Sequence, residues 1–137
     1  MSARQEASHQ ARYVRLYADE RGESHFADVD VDLVPANFAP PAPPLQVAAL
    51  FPVLRSGLVC APVDWDGTIA HPSPHRQLMC TLRGAYEVTA SDGAVRCFPA
   101  GSLLLLEDTT GSGHTTRIVG TEELLVMTVT LGDEEPG

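Results

Sequence analysis

The sequence predicts an all-β protein, an antiparallel roll or barrel, and three observations carry that expectation. Helical periodicity is nearly absent, short apolar runs rich in Val, Leu, Phe and Tyr recur along the chain, and Gly, Pro, Asp and Ser separate them. Many short strands at close spacing close most readily as antiparallel sheets. A chain of 137 residues with 44% hydrophobic content suits one domain and leaves no room for a second large one.

Residues 1–11 are polar and aperiodic and are expected to form a disordered head; 132–137, acidic and ending Pro-Gly, are expected to form a disordered tail. The domain between them, 12–131, carries ten expected strands: 12–18, 25–33, 46–51, 57–63, 76–83, 85–90, 94–98, 102–106, 115–119 and 123–131. The third of these is poor in β-branched residues and reads equally as a short helix stopped by Pro52. Ser91-Asp92-Gly93 joins the sixth and seventh as a hairpin, with Asp-Gly suited to a type I′ turn. The proline-rich stretch 38–44 is expected to be a stiff polyproline crossover on the surface.

Charge narrows the function. Net charge is −9, and all nine basic residues are arginine. A Schiff-base or Walker-type lysine is therefore excluded, and the acidic excess speaks against nucleic acid or an anionic membrane as partner. Cys60, Cys80 and Cys97 lack metal-site pairing and lie among apolar residues, so they are expected to be small buried hydrophobes with reduced thiols. The first residues lack the apolar core of a signal peptide, and no run approaches the length of a membrane span, so the expected location is cytoplasmic.

Two regions carry chemistry-bearing residues. His71, His75 and Gln77 alternate into the strand that holds Met79 and Thr81, which places all of them on one face if the extended geometry runs through Pro72 and Pro74. Two imidazoles on one segment supply part of a coordination shell; the plainer reading is a pair of solvated loop histidines. The second region is Glu107-Asp108-Thr-Thr-Gly-Ser-Gly-His114, where a leucine-rich strand empties into a polar loop ending on histidine. A carboxylate beside an imidazole fixes its tautomer and raises its basicity, whereas the bland alternative is a turn built on Asp108, the threonines and the glycines. Trp65 either walls a pocket or packs in the core. His9 and His25 read as solvated, and Arg76 and Arg117 as exposed strand positions.

Taken together these residues resemble a single-domain cupin. Gly93, five residues, then Pro99-Ala100-Gly101 reproduces the opening of the second cupin motif, and anchoring the first motif on Gly84 places His71 at its first His, Ser73 at its second and Gln77 at its Glu. The resemblance covers about 45–131 and implies a double-stranded β-helix, the cupin jelly-roll barrel, with extra N-terminal strands. Cupins that bind metal use two His and a Glu of the first motif and a His of the second; here only His71 survives, and Leu104 stands at the second-motif His. The Glu-Asp-Thr-Thr-Gly-x-Gly-His stretch is similar to one in small bacterial cupins, which share no single activity.

The resemblance implies an enzyme acting on a small organic molecule in the barrel, with His71, His114, Asp108 and Glu107 as catalytic candidates. Trp65, Gln77, Met79 and Leu104 are candidate substrate contacts. A variant uses a divalent ion (Zn, Fe, Mn or Ni) on His71, His75 and His114, although a neutral Gln77 amide is a poor stand-in for a carboxylate. The alternatives are a non-catalytic small-ligand-binding module and a structural dimer with a vestigial pocket. A homodimer built on the N-terminal strands is the expected assembly.

Overall fold

Twelve strands and no helix run through the described residues, 9–132, of the computed structural model. They are β1 (Gln10–Ala18), β2 (Ser24–Asp32), β3 (Val34–Ala36), β4 (Leu45–Val47), β5 (Val53–Ala61), β6 (Asp66–His71), β7 (Gln77–Arg83), β8 (Ala85–Ala90), β9 (Val95–Pro99), β10 (Leu103–Glu107), β11 (His114–Val119) and β12 (Leu124–Leu131). No helix long and apolar enough to cross a membrane occurs among the described residues. The expected head and tail lie outside those residues except for residues 9–11 and Gly132, and Gln10 and Ala11 already belong to β1.

Strands β5 to β12 are shared between two sheets in jelly-roll order, β10-β7-β12-β5 and β6-β11-β8-β9. The β1–β2 hairpin widens the first sheet to six strands by laying β1 parallel to β10. The expected all-β jelly roll with extra N-terminal strands is thus the observed fold. Leu16, Leu104, Leu106 and Val126 from one sheet meet Tyr86, Val88, Phe98 and Ile118 from the other in the main core. The consecutive leucines of β10 serve both faces: Leu104 and Leu106 turn inward, while Leu105 packs with Leu78 and Leu131 in a second cluster on the opposite face.

Several boundaries differ from expectation for local reasons. The apolar run 45–54 is cut by Pro52, so β4 is short and β5 starts at Val53. Pro62 ends β5, which therefore stops short of Val63. The stretch 38–44 is the loop of a β3–β4 hairpin and not a polyproline crossover; β3 was hidden by Pro35, which its two-stranded edge position tolerates. β6 had too few apolar residues to be noticed. The 85–98 hairpin is present, but only Gly93 takes a positive φ, +95°, and its N–H donates to the Ala90 carbonyl. The turn is a type I turn with a glycine bulge, not type I′. The cysteines are also corrected: Cys60 and Cys97 are exposed and Cys80 is half-buried, because β5 and β9 are edge strands.

His25, expected to be solvated, bridges two carboxylates. Its Nε2 lies 2.7 Å from Asp19 Oδ2 and its Nδ1 2.7 Å from Asp92 Oδ2, tying the β1–β2 turn to the β8–β9 turn. The hydrogen bond to Asp19, then that to Asp92, raises the imidazole pKa. The same contact with His25 holds Asp19 low, and the Ala94 N–H followed by His25 holds Asp92 low. A raised histidine contributes stability that is present below its unfolded pKa and lost as pH rises through the folded one; lowered carboxylates contribute above their unfolded pKa and lose it in acid. His25→Gln should therefore lower the thermal midpoint most at about pH 5–6 and far less at about pH 9. An equal loss at both pH values would contradict this clasp.

Candidate functional site

A cavity of about 280 Å³ lies between the two sheets. Met79, Leu104, Leu106, Leu124 and Val126 line it from the first sheet, and Tyr86, Val88, Thr116, His71 and His114 from the second. Val59 and Trp65, both about half exposed, mark where it meets solvent. Among the described residues no arginine, aspartate or glutamate lines it, so its polar chemistry rests chiefly on the two imidazoles.

Those imidazoles are cross-strand partners. His71 ends β6 and His114 begins β11; the two pair in register, and their ring centroids lie 5.7 Å apart with planes inclined by 50°. Pro72 ends β6 at this point, and the glycine-rich loop after Asp108 delivers His114 beside it. Gly113, at φ +72°, lies against the His71 carbonyl and the Pro72 nitrogen, where a Cβ would collide with backbone. Only glycine lets the loop pass there.

Each ring is held at Nδ1. His71 Nδ1–H donates to the Pro72 carbonyl at 2.9 Å, and His114 Nδ1–H donates to Asp108 Oδ2 at 2.6 Å. Both bonds select the tautomer that leaves Nε2 as the available ring nitrogen. Asp108 is fully buried; its Oδ1 accepts the Ser73 hydroxyl at 2.8 Å, and its backbone carbonyl accepts the Ser73 N–H at 2.9 Å. A carboxylate taken so far from water requires such partners. The arrangement is Ser73–Asp108–His114 facing His71.

Of the expected site residues, His71, His114, Trp65, Met79 and Leu104 line the cavity, and Asp108 stands directly behind His114. Glu107 does not join them. It lies one residue from Leu106 and hence on the other face of β10, where it accepts Arg15 Nε at 2.9 Å and Arg76 Nε at 3.0 Å. Gln77 shares the Met79 side of β7 but stands outside the lining, at the register of Leu106 and beyond that of Leu104. His75 is exposed in the β6–β7 loop, because Pro72 and Pro74 interrupt the alternation expected to carry it inward. Arg76, half-buried in the loop before β7 and not the exposed strand position expected, pairs with Glu107, and Arg117 on β11 pairs with Glu87; neither lines the cavity.

The expected metal set therefore does not assemble. Among the described residues, no group of three or more His, Cys, Asp or Glu side chains lies close enough to hold a metal ion. His114 spends Nδ1 on Asp108, and His71 spends Nδ1 on Pro72. Two ring nitrogens remain, one short of the protein ligands that a catalytic zinc normally takes.

Sequence reasoning missed Ser73, which it weighed only as a replaced motif position, and the wall formed by Val59, Cys60 and Ala61. A seryl hydroxyl 35 residues from its carboxylate leaves no local pattern. Residues 59–61 lie within the expected strand 57–63, but nothing in their sequence told which face of that edge strand meets the cavity.

No protein-family model and no curated protein matches the chain. Among solved structures it is similar to the Schizosaccharomyces pombe Cnp3 cupin domain, with 20% identity over 92% of this chain and 86% of that one and a TM-score of 0.47.

Two measurements check this geometry. Glu107→Gln should cost about 1 kcal/mol of stability and leave ligand binding in the cavity unchanged, since its partners are partly exposed arginines on the outer face. Asp108→Asn should reduce function; the reverse ranking in a binding or turnover assay would contradict the placement. Gly67→Ala should shift the emission of Trp65, the only tryptophan, because the new Cβ would lie about 2.5 Å from ring atom Cη2 and 2.7 Å from the Thr116 carbonyl. Unchanged emission would show that the indole does not rest on Gly67.

Proposed function

We propose that this protein is a small-molecule enzyme that moves a proton on a neutral, mainly apolar organic substrate. The observation that carries the reading is the buried Asp108–His114 pair set across from His71 on one wall of an apolar cavity. Asp108 stabilises the imidazolium that forms when His114 Nε2 accepts a proton. His71 leans on a neutral carbonyl and receives no such anionic support, so the two rings are unequal. The step requires one added proton on the pair: in the arrangement that reacts it sits on His71, which keeps Nδ1–H on the Pro72 carbonyl and offers Nε2–H to a substrate oxygen, while His114 Nε2 is the base. On a β,γ-unsaturated carbonyl compound, His114 removes a proton from the carbon beside the carbonyl and returns it to the γ-carbon as the double bond shifts into conjugation, an isomerisation with no net gain or loss of protons.

The walls define the substrate. With no arginine or lysine in the lining among the described residues, a carboxylate or phosphate would enter without a counter-charge, which is unfavourable in an apolar site. An apolar cavity of roughly 150 Å³ accommodates benzene. The cavity here, about 280 Å³, suits a substituted ring or a small bicycle. The second reading is a binding module without turnover, favoured by Met79 and Leu104 in the wall where ligating or reacting groups would otherwise stand.

Solvent-deuterium incorporation separates the two. Phenylacetone and cyclohexanone should acquire deuterium beside the carbonyl faster with protein than without, and phenylpyruvate should not. His114→Gln should lower that rate by about 10²–10⁴-fold, the range for a general base. Saturable quenching of Trp65 by the ketones without exchange would replace the enzymatic reading by the binding one. Neither quenching nor exchange would overturn both.

A further inference from the structure

We infer that Ser24, at the start of β2, is a positioning residue for His114, so that the N-terminal hairpin is part of the site's machinery and not merely an addition to the sheet. The inference rests on the reading of His114 as the base. Ser24 is fully buried, although it lies far from His114 in sequence and does not line the cavity. Its hydroxyl donates to the carbonyl of Gly113, the residue before His114, at 2.7 Å.

The same hydroxyl oxygen accepts the Ser91 N–H at 2.7 Å, and the Ser24 N–H in turn donates to Ser91 Oγ at 2.7 Å. This reciprocal couple fixes Ser24 against the β8–β9 turn. Its remaining proton is then aimed at Gly113. One residue earlier, the Ser112 N–H donates to the Gly22 carbonyl at 2.8 Å.

The loop 108–113 is thus held at both ends. Ser73 holds Asp108, which grips the ring of His114, while Gly22 and Ser24 hold the backbone immediately ahead of His114. Gly113 has little conformational support of its own: it has no side chain, and its φ is positive. Without the Ser24 hydroxyl, the Gly113 carbonyl loses its partner in a buried place and the Ser91 N–H loses its own at the turn, and the backbone at Gly113 is less restrained. The ring would then follow its backbone, and the short Nδ1–H bond to Asp108 would open more often.

Hydrogen exchange read by NMR on ¹⁵N-histidine-labelled and ¹⁵N-labelled protein tests this without any ligand. Ser24→Ala should accelerate exchange of the His114 Nδ1–H and of the Gly113 amide by about ten-fold or more, with the Leu105 amide in the core unchanged. Ser24→Thr, which keeps a hydroxyl, should restore most of the protection. Unchanged exchange at His114 in Ser24→Ala would overturn the proposal, as would equal acceleration at Leu105, which marks general loosening. Should Ser24→Ala not fold, Ser91→Ala, which removes the other half of the couple, should accelerate His114 exchange in the same direction, and no acceleration there would overturn the proposal. If His114 exchange responds as expected while no variant or wild-type protein turns over a ketone, positioning stands and only the assignment of His114 as base fails.

Discussion

The buried carboxylate of Asp108 is the constraint on which the site depends. A charge removed from water must be matched, and here the matching is done by the His114 ring and the Ser73 hydroxyl, while the Ser73 N–H holds the backbone carbonyl of Asp108. Satisfying one anion therefore joins three segments that are distant in sequence. The loop before β7 is held to the end of β10, and the start of β11 is oriented with its ring against the cavity. The jelly roll supplies the rest by bringing β6 and β11 together as neighbours, so that His71 and His114 meet as a cross-strand pair.

The contrast between the wall and what lies behind it gives the site its chemical character. In front are leucine, valine and methionine side chains, which lower the local dielectric and strengthen any charge or dipole placed among them. Behind His114 stands a fixed anion, and behind His71 only a carbonyl. Two identical residue types thereby stand in different electrostatic surroundings. The arginines that would balance an anionic substrate are elsewhere, on the outer surface with Glu107, Glu87 and the aspartates of β2.

Much of this was legible in the amino-acid sequence, in places where a single physical rule governed. Strands with clean alternation, such as β8 and β12, were read within a residue or two, and the Asp108–His114 pair followed from a carboxylate and an imidazole enclosing a glycine-rich loop. Glu107 was misread although the rule was available: adjacent residues at a strand end face opposite ways, so Leu106 inward means Glu107 outward. His75 failed because Pro72 and Pro74 break the extended geometry that the alternation assumed. Ser24, Ser73 and the double bridge of His25 left no local signal at all, since each is defined by a partner that the fold brings from a distant segment.

The central claim is that Nε2 of His71 and of His114 faces a neutral ligand within the apolar cavity. A crystal structure of the protein soaked with phenylacetone tests it most directly. The account predicts the aromatic ring among Met79, Leu104 and Val126, with the carbonyl oxygen about 2.6–3.2 Å from an Nε2, the reach required for proton transfer. A ketone bound away from this cavity, or rings whose Nε2 atoms turn from it, would contradict the account.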